Sequence, residues 1–306
     1  MKKVDPNRVA PMHKSGFVAV IGKPNVGKST LVNAFVGEKI AIVSPKPQTT
    51  RRVIRGILTR EDAQIIFVDT PGIHKPEHKL GNVMVESATH AVNEVDVVVF
   101  LVDGSRMPTD DDVRIGRMLN DRCRVPVLLV LNKSDLLKPI DVEAVTEAYW
   151  KIAKHDDWMR ISATRKENLD KVQEMILARL PEGPELYPND QVTDQNLQAM
   201  ASELIREQVL KSTRQEVPHS VAVAIEQWED RSETLTHITA TIYVERDSQK
   251  GIVIGAKGAM LKEIGQAARA EIEQWVGHQV FLELWVKVWD KWRESKASLR
   301  ELGFGE

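Results

Sequence analysis

The residues best suited to chemistry in this 306-residue chain lie in a few short runs, and the first is GKPNVGKS at 22–29. It matches GxxxxGKS and stands between the apolar run FVAVI and the helix-like run TLVNAFV, the strand, loop and helix order that such a loop requires. Glycine frees the backbone there, so that successive N–H groups can point at one anion while a helix N-terminus adds its dipole. Gly22, Lys23, Pro24, Asn25, Val26, Gly27, Lys28, Ser29 and Thr30 are therefore read as a nucleotide phosphate site. Within it, Lys28 is placed to reach the β- and γ-phosphates and Ser29 to ligate Mg²⁺.

Two further runs complete this chemistry. Asp69, Thr70, Pro71, Gly72 and Ile73 close an apolar run, which puts the Asp69 carboxylate near Mg²⁺ and the Gly72 N–H at a γ-phosphate. The segment 41–52, AIVSPKPQTTRR, carries two prolines and is expected to be a mobile loop in which Thr50, or else Thr49, completes the metal shell. Metal ligation is thus assigned to Ser29, Thr50 and Asp69, and catalysis to Lys28, Thr50 and Gly72. Loss of a γ-phosphate would release both loops, an order-to-disorder switch.

The base is chosen by Asn132, Lys133, Ser134 and Asp135, which follow the apolar run VPVLLVL. A carboxylate can accept from both the ring N–H and the exocyclic amine of guanine. Adenine lacks that donor pair and would leave the Asp135 charge unpaired, so guanine is preferred. Asn132 would orient the loop, the stem of Lys133 would lie along the base, and Ser162 and Ala163 would bring an N–H to the guanine oxygen.

These runs need a scaffold that brings them to one edge. From 17 to 180 the chain alternates short β-branched runs with helical patterns, which is how a mostly parallel sheet wrapped in helices reads. Strands are expected at 17–21, 53–59, 64–69, 97–102, 127–131 and 159–162. The second and third are joined too tightly for a crossover helix and should be antiparallel. The expected fold is α/β, a mixed six-stranded sheet with helices on both faces, followed by a smaller α+β unit. Prolines and a glycine at 181–188 mark a linker, giving an N-terminal tail at 1–15, a nucleotide domain at 16–184, a linker at 185–195 and a second domain at 196–306.

In the second domain a helix is expected at about 196–214, then strands at 220–227 and 236–245 around a charged turn at 229–232. A glycine-containing segment, a helix to about 275, a strand at 279–287 and a final helix follow. Gly255, Ala256, Lys257 and Gly258 form a GxxG turn between helices, which can bring helix N-termini to a single-stranded nucleic-acid backbone. Ile252, Ile254 and Lys262 join these residues as RNA-binding candidates, although Ile252, Ile254 and Leu261 serve equally as core. Trp285, Trp289 and Trp292 read as a packed stripe or as an amphipathic surface.

The ordered set GKPNVGKS, QTTRR, DTPG, NKSD and ISA resembles the translation-factor class of P-loop GTPases, and VIGAKG in its setting resembles a type II KH domain. The first resemblance implies GTP hydrolysis. It also marks a departure, because Ile73 stands where Ras-like members carry a water-orienting glutamine, so hydrolysis is expected to be slow. His74 is adjacent but reads as an ordinary loop histidine. Asn25 sits where related GTPases hold potassium.

The two modules together resemble bacterial GTPases of small-subunit maturation. That resemblance implies GTP-favoured binding near the 3′ end of small-subunit ribosomal RNA, release after hydrolysis, contact with the small ribosomal subunit, and peripheral membrane association. With 42 Lys and Arg against 44 Asp and Glu there is no global basic field, so any RNA contact must be local. Acidic groups outnumber basic ones across 198–306, but Arg246, Lys250, Lys257 and Lys262 bracket the glycines. One cysteine and no apolar run of membrane-spanning length fit a cytoplasmic monomer. The rival reading is a nucleotide-switched protein-interaction or membrane-associated regulator whose GxxG turn is structural.

Overall fold

The computed structural model describes residues 13–46, 48–213 and 217–304. The first half is built on a six-stranded sheet in the order β2-β3-β1-β4-β5-β6. Its strands are β1 (Lys14–Ile21), β2 (Ile54–Thr59), β3 (Ala63–Asp69), β4 (Val97–Asp103), β5 (Val127–Asn132) and β6 (Asp157–Arg160). All pairings are parallel except β2 with β3, as the short connection between them requires.

The central runs AQIIFVD and VVVFLVD are buried along their whole length, since a parallel strand covered on both faces has no solvent side to leave polar. On one face α1 (Lys28–Val36) and α5 (Leu169–Leu177) pack through Leu31, Phe35, Val172 and Ile176. The other face is covered by α2 (Lys79–Ala91), α3 (Asp110–Arg122) and α4 (Val142–Trp150) through Ala88, Ile115, Leu119 and Tyr149. The strand order reverses around β1, so the carboxyl ends of β1, β3, β4 and β5 share one crevice, the usual ligand position of open α/β sheets.

The second half has a three-stranded sheet, β7 (Ala222–Ser232), β8 (Leu235–Val244) and β9 (Gln279–Val288), with β8 and β9 parallel. Against it pack α6 (Leu197–Ser212), capped by the Asn196 side chain, and α9 (Ala259–Val276), around Leu204, Val209, Ile238, Ile264 and Ile272. Shorter helices α7 (Val217–Ser220), α8 (Asp247–Ile254) and α10 (Lys296–Glu301) complete it. The halves share apolar contacts: Leu80 and Met84 of α2 cluster with Ala222, Trp292, Leu299 and Phe304.

Several expectations need correction. The sixth strand is 157–160 rather than 159–162, because DWMR is a half-exposed edge strand whose extent is set by pairing with β5 and not by apolar alternation. Ser162 instead forms an isolated bridge with Glu167. The charged stretch 229–232 is no turn but the exposed end of β7, carrying register shifts that hide its periodicity, while Ser220 lies in α7 rather than in a strand. The first strand begins at Lys14, inside the expected tail, of which 1–12 lies outside the described residues, as does Arg214 at the end of the expected 196–214 helix.

The 185–195 stretch lies along the sheet edge rather than hanging as a tether. Thr193 bridges Gly56, and the Ile57 N–H donates to Val192. The start of the 41–52 segment is held in place as well: Asn33 accepts the N–H groups of Ile40 and Ala41, and Ile42 is buried in the core of the second half.

Candidate functional site

The phosphate loop joins β1 to α1. Gly27 has φ 102°, and a Cβ built there would lie 2.4 Å from Asn132 Nδ2, so both backbone conformation and a close neighbour demand glycine. Lys28 is buried, with Nζ 3.0 Å from the Lys23 carbonyl. Burial lowers its pKa to about 8, partly offset by Asp69. The Lys23 amine donates to Asp112 Oδ2 at 2.6 Å and to Thr109 at 3.0 Å on the α3 side, which leaves its backbone N–H as the group it can offer to phosphate. A cavity lies between Pro24, Asn25, Lys28, Ser29 and Thr30 on one wall and Val43, Ser44 and 48–50 on the other, with Gly72 at its border.

At one end of that cavity three oxygens meet. Ser29 Oγ lies 2.7 Å from Thr50 Oγ1 and 2.7 Å from Asp69 Oδ2, with Thr50 Oγ1 3.4 Å from the same carboxylate. Thr49 is spent elsewhere, its hydroxyl donating to the Lys46 carbonyl at 2.6 Å, so Thr50 is the threonine that reaches the cluster. Asp69 Oδ1 is buried with no partner among the described residues, and burial pushes this carboxyl up to about 6 against the opposing charge of Lys28. An unpaired buried carboxylate oxygen beside two hydroxyls fits a hard dication that takes its remaining ligands from phosphate and water. Among the described residues no cluster of three or more His, Cys, Asp or Glu offers a closed protein cage instead.

Around the cluster, Thr70 donates to the Val20 carbonyl at 2.8 Å, and the Ile73 N–H donates to Gly22 at 3.1 Å, which holds Pro71 and Gly72 against the phosphate loop. The Ile73 side chain is buried in the sheet core and cannot orient a water. His74 is more engaged than a free loop histidine, since its ring lies 3.0 Å from both the Gly72 carbonyl and Gln48 Nε2.

The base-reading loop follows β5. Asn132 Nδ2 donates to the Val26 carbonyl at 2.8 Å, and its Oδ1 accepts the Ala163 N–H at 2.9 Å. The expectation that this amide faces a guanine oxygen therefore meets a competitor: Ala163 closes the loop onto Asn132, assisted by Ser134 N–H to the Ile161 carbonyl at 3.0 Å. Ser162 Oγ accepts the Arg165 N–H at 3.2 Å. Lys133, at φ 64°, extends its amine to the Asn25 carbonyl at 2.8 Å and to Asp103 Oδ2 at 2.9 Å. Against burial, hydrogen bonds from Ser105 and Lys133 hold the Asp103 carboxyl below its usual range. Asp135 Oδ1 is buried without a partner among the described residues, while Oδ2 has Arg165 at 3.8 Å. Asp103 and Arg165 were missed in the sequence. Asp103 had a signal, a carboxylate ending an apolar strand at the ligand edge, whereas Arg165 had none beyond adjacency.

A second candidate site lies on α8 and α9. Gly255 has φ 71°, and a Cβ there would approach Met260 Cβ to 2.6 Å, so the turn between the helices needs glycine; Lys257 and Gly258 also have positive φ. Ala256, Lys257 and Lys262 are exposed. Gly258 at the N-terminus of α9, with Leu261, Lys262 and Arg269 of that helix, faces Phe281, Leu282 and Leu284 of β9 across a groove, and nothing in the strand's sequence marks its three residues. Ile252 is 48% exposed, while Ile254 packs on the core. The tryptophan stripe splits: Trp292 is fully buried and donates to the Ser220 carbonyl, Trp289 meets Tyr243 edge-on, and Trp285 is 54% exposed.

Comparison with known proteins agrees with both modules. Residues 17–133 match a family model described as a 50S ribosome-binding GTPase, and 216–293 match a KH domain model. The chain is similar to a crystal structure of Era in complex with MgGDPNP and nucleotides 1506–1542 of 16S ribosomal RNA, at 40% identity and a TM-score of 0.91 over 96% of this chain and 100% of that one. It is equally similar to Aquifex aeolicus Era Y63A bound to GDP and AlF4⁻, at 40% identity and a TM-score of 0.90 over the same shares.

Proposed function

The chain belongs to the Era family and is a GTP hydrolase, and from that premise we propose that it is a GTP-switched RNA-binding factor of small ribosomal subunit assembly, acting at the 3′ end of the small-subunit RNA. One observation carries the nucleotide half: Asp69 Oδ1 and Asp135 Oδ1, at the carboxyl ends of β3 and β5, are both buried and unpartnered among the described residues. Magnesium would satisfy the first and guanine the second. Buried polar atoms are rarely left unpaired without such a reason.

In this reading Lys28 would hold the β- and γ-phosphates, Ser29, Thr50 and Asp69 would hold Mg²⁺, and the Gly72 N–H would be offered to the γ-phosphate. Mg²⁺ when bound would offset charge developing on the phosphate oxygens. Ile73, which stands where Ras-like members carry a water-orienting glutamine, is in the core, so turnover rests on positioning and electrostatics and is slow. The RNA half is assigned to Ile252, Ile254, 255–258 and Lys262, with the α9–β9 groove beside them. The support is the open GxxG turn together with the relative crystallised on 16S RNA.

Finer parts of the proposal are a cytoplasmic monomer with at most peripheral membrane contact, and potassium at Asn25. Among the described residues no helix is long and apolar enough to cross a membrane. Asn25 reaches the Pro45 carbonyl across the cleft at 2.9 Å. Faster turnover in potassium than in sodium buffer is expected, and equal rates would remove the ion from the account.

The test of the main reading is a bound fluorescent guanine nucleotide challenged with GTP or ATP, followed by titration of RNA matching the 16S 3′ end in the presence of a GTP analogue or GDP. Displacement by GTP alone and tighter RNA binding with the analogue are expected. Equal displacement by ATP would overturn the first part, and RNA binding indifferent to nucleotide the second.

A further inference from the structure

Helix α6 is buried from Leu204 to Leu210, and this stretch includes Arg206 and Glu207, each 1% exposed. Charges so placed need partners, because an uncompensated buried ion is strongly destabilising. Besides Glu203 and Lys211 of the same helix, their partners lie some 160 residues away, in and just before the segment that carries Thr50. Glu207 Oε1 accepts the Val43 N–H at 2.9 Å, while its Oε2 takes Lys39 at 2.5 Å and Lys211 at 3.0 Å. Arg206 donates to the Thr49 carbonyl and, through Nε at 3.0 Å, to Glu203.

The segment is gripped beyond these two points. Ile42 inserts into the apolar core of the second half. On the far side of Thr50, the buried Arg51 guanidinium donates to the carbonyls of Val221 at 2.5 Å, His219 at 3.0 Å and Pro218 at 3.3 Å. The peptide accepting from Arg206 is the one that leads into Thr50, so fixing its plane limits where Thr50 can place its hydroxyl. That hydroxyl meets Ser29 and Asp69.

We propose that Arg206 and Glu207, from the C-terminal half, are positioning residues for the GTP reaction, holding Thr49 and Val43 so that Thr50 is presented to Ser29, Asp69 and the metal. The inference rests on the nucleotide reading above. It implies that GTP, which needs Thr50, is bound and cleaved well only when α6 is seated, whereas GDP binding, which depends on the phosphate loop and Asp135, is indifferent to it. Such coupling is reciprocal, so a seated α6 and bound GTP stabilise one another.

The test uses the full chain with Arg206→Ala, Glu207→Ala and Glu207→Gln. Affinities for GDP and for a non-hydrolysable GTP analogue are read together with the Mg²⁺ concentration giving half-maximal turnover. Arg206→Ala and Glu207→Ala should weaken the analogue about tenfold and raise the magnesium requirement, with GDP affinity held within about twofold. Glu207→Gln keeps an acceptor for the Val43 N–H and should restore analogue affinity. Loss of both nucleotides in step, or folded variants with unchanged analogue affinity, would overturn the inference. Should Arg206→Ala fail to fold, the Glu207→Ala and Glu207→Gln pair decides by the same split. Nucleotide binding by the unsubstituted chain tests the underlying reading separately.

Discussion

The Asn132 side-chain amide donates to the Val26 carbonyl at 2.8 Å, which ties the loop after β5 to the phosphate loop. The same side chain accepts the Ala163 N–H at 2.9 Å, so three loops contributed by separate strands share one residue. A ligand held at its phosphates and at its base therefore meets a preformed frame rather than loops that must be ordered on binding.

Asn132→Ala should accordingly weaken GDP and GTP together. Two buried backbone groups lose their partners, a cost of about 1–3 kcal/mol each, which corresponds to about tenfold or more in affinity. Fluorescent nucleotide titration measures it. A selective loss of GTP alone would contradict the shared-frame account.

A pH effect follows from Glu203. Although burial opposes its charge, the guanidinium of Arg206, with those of Arg52 and Arg51, holds its carboxyl below the ordinary value of 4.5. A depressed folded pKa contributes stability that is present above the unfolded value and lost as pH falls through the folded one. The melting-temperature gap between the unsubstituted chain and Glu203→Gln should be full above roughly pH 5 and shrink below about pH 4. A gap constant from neutral pH to acid would show that charge at Glu203 is not what matters.

At the GxxG turn, converting Ala256 and Lys257 together to Asp places new negative charge where the helix N-terminus faces open solvent. Binding of a short single-stranded RNA should fall at least about tenfold, with a shallower salt dependence. Circular dichroism checks the fold. Unchanged RNA affinity would favour the rival reading in which the turn is structural.

What the sequence revealed and what it hid divide along physical lines. Gly27, Asp69, Asn132 and Asp135 were legible because each ends or follows an apolar strand whose local pattern places it at the sheet's ligand edge. Arg206 and Glu207 were not, since a partner some 160 residues away leaves no mark in local periodicity. Ile42 read as loop for the same reason: the core that buries it belongs to the other half. The far end of β7 reads as a turn in sequence because a doubly exposed edge strand has no apolar alternation to show. Spacing alone does not reveal the bond of the Ala163 amide to Asn132.

The central claim is that the Asp135 carboxylate reads guanine in the crevice where Ser29, Thr50 and Asp69 meet the phosphates. Competition of GTP, xanthosine triphosphate and ATP for the nucleotide site of the unsubstituted chain and of Asp135→Asn tests it most directly. The amide of Asn can donate where the carboxylate could only accept, so the variant should lose GTP affinity by about a hundredfold or more and gain the xanthine nucleotide. An Asp135→Asn protein that still prefers GTP as the unsubstituted chain does would contradict the account.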